Sequence, residues 1–412
     1  MLFKRFLSDK IEKYIKDGKS ILLLGPRQTG KSTIVENILN KSRYKNLVFK
    51  LQLFETYEKI AKNPSQIAHI VESKLEEENK INLFIDEVQK IPALLDDCQY
   101  LIDKHKNKLS VILTGSSARK LRARGVNLLP GRVFLQNLHG LILPEIMKSE
   151  VQRIVPIRVN NSKGLEKVSL NELLIFGTLP GVLIEKEKYK KELLQSYVSI
   201  YLKEEIKAEA LTRNLGGFSN FLELAAFESG SIPNLSKLSQ ETGIPMMTVK
   251  NYFQLLEDTL VTFTIPAFKK KSRKQILSTP KYLFFDLGVR NVASDMVLDT
   301  KILKTEIGGK LFEQFICLEL IKRIKYNYPT WKYYFWRTNN GLEVDFIIQT
   351  DEEIIPIEIK FTDVPQDSHI KHLKIFMEEY KQYNVKRGFL VGMFSSAMKL
   401  TKNIYAIPWD EI

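Results

Sequence analysis

The chain has 412 residues and 44% hydrophobic side chains, too long for one core, so about two to four domains with substantial interiors are expected. No apolar stretch approaches the roughly 18–20 residues that cross a bilayer, and residues 173–184, the nearest, are interrupted by Gly177, Pro180 and Gly181, so no membrane partner is expected. The net charge of +14 and pI near 9.4 draw a protein toward phosphate backbones, although a Lys-, Ile- and Asn-rich composition gives the same balance without one. The first ten residues lack a signal-like apolar core, and Cys98 and Cys317 stand far apart among five scattered histidines without metal-ligand spacing. A reduced, cytoplasmic setting is the expectation.

In chain order, the apolar run Ile21–Leu24 predicts a buried strand, and Thr33–Leu39 predicts an amphipathic helix. Between them, residues 25 to 32 read Gly-Pro-Arg-Gln-Thr-Gly-Lys-Ser, which fills every defined position of the phosphate-cradling pattern GxxxxGK[ST]. Gly25 and Gly30 let the backbone curl so that the amides of Pro26-flanked Arg27, Gln28 and Thr29 surround an anion. Lys31 then reaches the β- and γ-phosphates, and Ser32 offers a hydroxyl to Mg²⁺. Thr33 continues into the helix, whose positive end adds to the same anion. The octapeptide implies nucleoside triphosphate binding. No base-reading signature separates ATP from GTP.

Residues 81–87 read Ile-Asn-Leu-Phe-Ile-Asp-Glu, an apolar strand ending in two acids about 55 residues beyond the loop lysine. Asp86 is the candidate for the Mg²⁺ shell, and Glu87 for orienting or deprotonating the attacking water. A third strand, 110–117, ends in hydroxyl residues where a γ-phosphate would lie, with Thr114 as either a polar sensor or a helix cap.

Farther along, Gly177, Pro180 and Gly181 mark a bend followed by a long helix through Tyr197, Tyr201 and Ile206, read as a helical lid or linker. Residues 220–268 have a helix-turn-helix pattern. Gly243 is the turn, and a helix opened by Pro245 carries Val249, Tyr252, Phe253, Leu255 and Leu256 on its apolar side. A wing-like strand then begins near Thr259. Such a unit either reads DNA, with Thr248, Lys250 and Asn251 toward the major groove, or serves as a docking platform. The basic run 269–274 is either a backbone-tracking cluster or a solvated hairpin tip. Residues 281–288 read as a buried strand and turn without chemistry of their own.

The final third carries Glu313 on a helical stretch, Asp345 within the strand 342–348, and Glu358 and Lys360 on one face of the strand 355–360. A hairpin of those strands brings Asp345 and Glu358 together as oxygen ligands for a second Mg²⁺ or Mn²⁺, with Lys360 a catalytic neighbour, not a ligand. A salt-bridged strand face gives the same pattern. The apolar flanks favour the metal site, because an unpaired carboxylate there would be costly to bury.

The glycine loop, the acidic box Asp86–Lys90 and Thr114–Ser117 resemble AAA-type ATPases. That resemblance implies a homo-oligomer in which an arginine from one subunit reaches the next subunit's nucleotide. Arg119, Arg122, Arg124 and Arg132 form the pool, with Arg132, after Gly131, most like the family's position. Asp345 and Glu358-Ile359-Lys360 are similar to the PD-(D/E)XK restriction-endonuclease-like fold, with Glu313 as the preceding helix acid and Val344 where that family has proline. Across nearly its whole length the chain resembles a prokaryotic group of AAA-type ATPases with a carboxy-terminal domain of unknown function. The shared segments include 177–180, 281–288, Phe312-Glu313 and 341–346. The fold expected is therefore α/β. It comprises a P-loop NTPase parallel sheet in 1–148, a helical linker in 149–215, a winged-helix-like module in 216–268 and an α/β nuclease-like domain in 269–412. The function expected is a Mg²⁺-dependent ATPase engaging DNA. The alternatives are an ATP-gated, metal-dependent DNA nuclease and a nucleotide switch acting on a protein partner.

Overall fold

Five short runs form strands, of which the first, third and fourth are apolar and buried along their whole length while the second and fifth, at the sheet edges, are partly exposed. In the computed structural model of the protein, these are β1 (Ser20–Leu24), β2 (Lys45–Lys50), β3 (Ile81–Asp86), β4 (Leu109–Gly115) and β5 (Val133–Asn137). Residues 3–116, 129–148, 169–206, 215–269 and 279–412 are described. Their contacts define two compact units, one of residues 1–140 with 258–261 and one of 141–257 with 262–412.

In the first unit the described strands form one parallel sheet in the order β2-β3-β4-β1-β5. Alternate side chains of the strands, Leu22 and Leu24, Leu83 and Ile85, Val111 and Leu113, join one apolar cluster with Ile60, Ile67, Val71, Leu94 and Leu101. Those residues come from helices α3 (Phe54–Lys62), α4 (Gln66–Glu77) and α5 (Leu94–Lys104). Helices α1 (Ser8–Lys16) and α2 (Lys31–Leu39) contact β1, β4 and each other outside that cluster. The result is a sheet between helical layers. Because β4 lies between β1 and β3, the end of β4 sits between the glycine loop after β1 and the acids after β3.

The second unit begins with helices and ends with a mixed sheet. Among the described residues, the helix Glu187–Ser196 continues as a wider π-helical stretch, Tyr197–Ile206, where the sequence pattern predicts one uninterrupted α-helix. Helices Leu235–Thr242 and Met246–Asp258 follow, separated by Gly243 in a left-handed conformation. The second buries Val249, Tyr252, Phe253, Leu255 and Leu256 and leaves Lys250 and Asn251 exposed. Strands β6 (Thr262–Ile265) and β7 (Lys281–Phe284) then form a two-stranded antiparallel ribbon.

The turn at Gly177 and the segment after β7 fix one another. Asp286 caps the helix Leu287–Ala293 through the Val289 amide and also accepts from the Thr178 amide at 2.6 Å. Gly177 has φ +75, and a Cβ there would lie 2.2 Å from Asp286 Oδ1. A Cβ at Gly288 would lie 2.2 Å from the Phe176 carbonyl oxygen. Two glycines far apart in sequence are therefore required by one contact.

The mixed sheet runs β12-β13-β11-β10-β9-β8, with β8 (Lys332–Arg337), β9 (Glu343–Gln349) and β10 (Ile354–Ile359) antiparallel in turn. Strands β11 (Gly388–Gly392) and β13 (Ile404–Pro408) continue parallel to β10, and the short β12 (Met398–Lys399) closes the edge. The long helix Glu306–Asn327 contacts β10 and supplies Glu313. No described helix is long and apolar enough to cross a membrane.

Candidate functional site

The loop after β1 is held in shape by close backbone approach. The Gly25 amide donates to the Gly115 carbonyl at 3.2 Å, and a Cβ at Gly25 would lie 2.1 Å from the Leu138 carbonyl oxygen. Gln28 (φ 60) and Gly30 (φ 92) turn the chain left-handed over the crest, and the Thr29 hydroxyl donates to the Pro26 carbonyl at 2.9 Å. Gly30 precedes the first turn of α2, which presents its unpaired amides at the mouth of the loop. Lys31 Nζ donates to the carbonyls of Gly25 and Pro26, both at 2.9 Å. Its ammonium is only 4% exposed, and burial pulls its pKa down to about 8, against the opposing pull of Glu87 and Asp86.

The acids after β3 meet this loop. Ser32 Oγ donates to Asp86 Oδ1 at 2.7 Å, Thr114 Oγ1 donates to the same oxygen, and Gln52 Nε2 donates to Oδ2 at 3.2 Å. The Glu87 amide donates to Thr114 Oγ1 at 3.1 Å. Glu87 itself is left-handed (φ 59, ψ 48), a conformation costing a non-glycine residue roughly 1–2 kcal/mol. Its Oε2 accepts from Ser116 Oγ at 3.1 Å and from Gln89 Nε2, and Gln89 also donates to Ser116 Oγ at 2.9 Å. Thr114 thus touches the carboxylate of Asp86 and the backbone of Glu87 at once.

The hydroxyl of Ser32 and the carboxylate of Asp86 are hard oxygen donors already in contact, a set that fits Mg²⁺. Arg5 was not singled out by the sequence. Its guanidinium donates to the Thr29 carbonyl and, at 2.7 Å, to the His139 carbonyl. Arg132 Nε donates to both oxygens of Asp103 at 2.9 Å within this unit, on an exposed surface. Arg119, Arg122 and Arg124, Ser117 and residues 270–274 of the basic run lie outside the described residues.

In the second unit the β9/β10 register ends at Ile357 opposite Phe346, so Glu358 and Asp345 come next on adjoining strands. The Ile359 amide donates to Asp345 Oδ2 at 2.8 Å, and Lys360 Nζ lies 2.8 Å from Glu358 Oε1 and 3.6 Å from Asp345 Oδ2. Oxygens of Glu313, Glu343 and Asp345 all fall within 4.8 Å of one another. Burial, reinforced by Asp345, pushes the Glu358 carboxyl up to about 9, and burial also raises that of Glu313.

Glu343 was missed, although it stands two residues before Asp345 and so shares its strand face. The reading of 281–288 as free of chemistry needs correction. Lys281 Nζ lies 3.0 Å from Glu313 Oε1 and 2.6 Å from Glu343 Oε1, inside the same cluster. A lysine heading an apolar strand carries no local sign of this, because its partners come from a helix and a strand some 30 and 60 residues away.

The parallel sheet, the glycine loop and the acids at the end of β3 define the first unit as a P-loop nucleoside triphosphatase fold. Residues 17–147 match a family model described as AAA domain, and with the loop geometry this supports an AAA-type P-loop ATPase. Residues 167–300 and 308–412 match models described as domains of unknown function (DUF8612 and DUF4143). Two curated proteins, "Uncharacterized protein Rv2008c" of Mycobacterium tuberculosis and "Uncharacterized protein Mb2031c" of Mycobacterium bovis, are each 20% identical over 413 residues, covering 100% of this chain and 85% of their own. A solved structure titled "The walker-type atpase paby2304 of pyrococcus abyssi" superposes with a TM-score of 0.46 at 15% identity, over 71% of this chain and 96% of that one.

Nucleotide binding is expected to depend on pH through Lys31. Its pKa of about 8 lies below the ordinary 10.5, so between those values the free protein has lost a proton that the unfolded chain keeps. A bound polyphosphate restores the ammonium, so binding above about pH 8 takes up a proton. Affinity should be level from pH 7 to about 8 and then fall by up to about tenfold per pH unit. Titration with a fluorescent ATP analogue from pH 7 to 9.5 reads this directly, and a flat profile would show either that the lysine keeps its ordinary pKa in the free protein or that it does not meet the phosphates.

Proposed function

We propose that the protein is an ATP-binding, Mg²⁺-dependent ATPase whose turnover drives or regulates a DNA-engaging carboxy-terminal half. The observation that carries the ATPase reading is the contact of Ser32 Oγ with Asp86 Oδ1, beside a buried Lys31 and a Glu87 held by Gln89 and Ser116. Gly25 to Thr33 hold the phosphates, Lys31 supplies a charge-assisted donor, and Ser32 and Asp86 would hold the metal. Held there, Mg²⁺ would supply charge neutralisation at the phosphate oxygens. Glu87 orients or deprotonates water, and Thr114 positions both acids. Arg132 serves a neighbouring subunit only by exchanging Asp103 for a phosphate.

The net charge of +14 and the exposed Lys250 and Asn251 support DNA as the partner. ATP turnover with Mg²⁺, measured with and without DNA, tests this reading. Turnover stimulated severalfold by DNA is expected. A rate indifferent to DNA but raised by a protein partner would favour the nucleotide switch instead.

A second reading, an ATP-gated nuclease, is favoured by the approach of Asp345, Glu358 and Lys360 on adjoining strands. Glu313, Asp345 and Glu358 would ligate Mg²⁺ or Mn²⁺, with Lys360 beside the scissile phosphate.

A further inference from the structure

Lys281 opens β7, is 4% exposed, and places Nζ between Glu313 Oε1 and Glu343 Oε1, with the Phe335 ring centroid 5.4 Å away. Those two carboxylates are members of the Glu313, Glu343 and Asp345 group, whose oxygens lie within 4.8 Å of one another. We propose that Lys281 is the resident cation of this carboxylate group and competes with a divalent ion for it, so that metal enters only when the Lys281 ammonium leaves. This rests on the metal-site reading of the carboxy-terminal acids and adds its regulation.

The argument is one of charge and space. Four acids, Glu313, Glu343, Asp345 and Glu358, face the ammoniums of Lys281 and Lys360, while Arg337 meets the outer oxygen of Glu343 at 3.4 Å. Lys360 serves Glu358 and Asp345 and Arg337 the outer oxygen of Glu343, while Lys281 bridges Glu313 and Glu343. Glu358 Oε2, on a side chain only 5% exposed, has no hydrogen-bond partner among the described residues. A buried carboxyl oxygen left without a partner beside other acids is one that a cation bound there would satisfy. Oxygen ligands hold Mg²⁺ or Mn²⁺ at about 2.0–2.2 Å, so an ion bridging Glu313 and Glu343 would have to stand where the ammonium stands.

Lys281 reaches the acids from outside their sheet, on a long side chain that can swing its ammonium away while the backbone stays in place. β7 pairs with β6 in its own ribbon, Lys281 lies opposite Ile265 at the ribbon's end, and neither strand belongs to the six-stranded sheet that bears the other acids.

Mn²⁺ binding to the full-length, nucleotide-free protein, followed by electron paramagnetic resonance, tests the proposal. Lys281→Met should bind one Mn²⁺ at least about tenfold more tightly than the unsubstituted protein, since it removes a unit charge within contact distance. Adding Asp345→Asn should abolish that gain. Equal, Asp345-dependent affinity with and without Lys281 would overturn the competition and leave the metal site standing. No Asp345-dependent Mn²⁺ in any form would overturn both. A readout that needs no substitution is acetylation of Lys281, measured by mass spectrometry. Millimolar Mn²⁺ should expel the ammonium and raise its labelling several-fold, and unchanged labelling overturns the proposal even if Lys281→Met does not fold.

Discussion

Lys31→Ala is expected to lower nucleotide affinity by about 10²–10³-fold and to remove ATP turnover, the size of loss that follows deletion of one partner from a buried, hydrogen-bonded charge pair. The ammonium sits 2.9 Å from two carbonyls of the loop itself, Gly25 and Pro26. Burial opposes its charge in the free protein, so the polyphosphate recovers a cost already met in folding. The same reasoning gives a control with the opposite sign. Because the buried ammonium is disfavoured, Lys31→Ala should leave the melting temperature unchanged or slightly higher. Calorimetric titration with ATP and a phosphate-release assay read the first effect, and a thermal melt reads the second. Unchanged turnover in this variant would remove the site assignment.

The second large effect is kinetic. Glu87→Gln should retain ATP affinity within about threefold while turnover falls by about 10²–10⁴, the range attributed to a positioned general base. Both described donors, Ser116 Oγ and Gln89 Nε2, reach Oε2. An amide at position 87 can keep those bonds with its oxygen while its NH₂ replaces Oε1, so the substitution changes charge and basicity with little change in shape. The left-handed backbone at Glu87 is consistent with such a role, since strained conformations cluster at functional sites. Single-turnover measurements separate the two quantities. A full hydrolysis rate in Glu87→Gln would make the carboxylate a structural group and move the search for the base elsewhere.

These features were legible in the sequence to different degrees, for physical reasons. The glycine loop and the acid pair are local patterns, and their strand and helix context follows from apolar runs of fixed length. Residues 21–24 and 31–39 form the strand and helix that the loop requires. The shared face of Glu358 and Lys360 follows from strand alternation. Contacts closed by the fold left no local trace. Arg5 reaches across 24 and 134 residues to its carbonyls, and Lys281 reaches 32 residues to Glu313. Asp286 explains the pairing of segments 177–180 and 281–288, which the sequence shows only as two unrelated glycine turns. The grouping of residues 141–257 with 262–412 into one unit likewise depends on long-range contacts, the Asp286 cap among them, and no compositional boundary announces it.

The guanidinium of Arg5 has a mechanical consequence. A single rigid plane grasps oxygens from the crest of the phosphate loop and from the exit of β5, and the planes of two peptide groups are thereby yoked. The phosphate loop is thus braced from outside its own octapeptide, so Arg5→Ala would free the Thr29 carbonyl and the His139 carbonyl together.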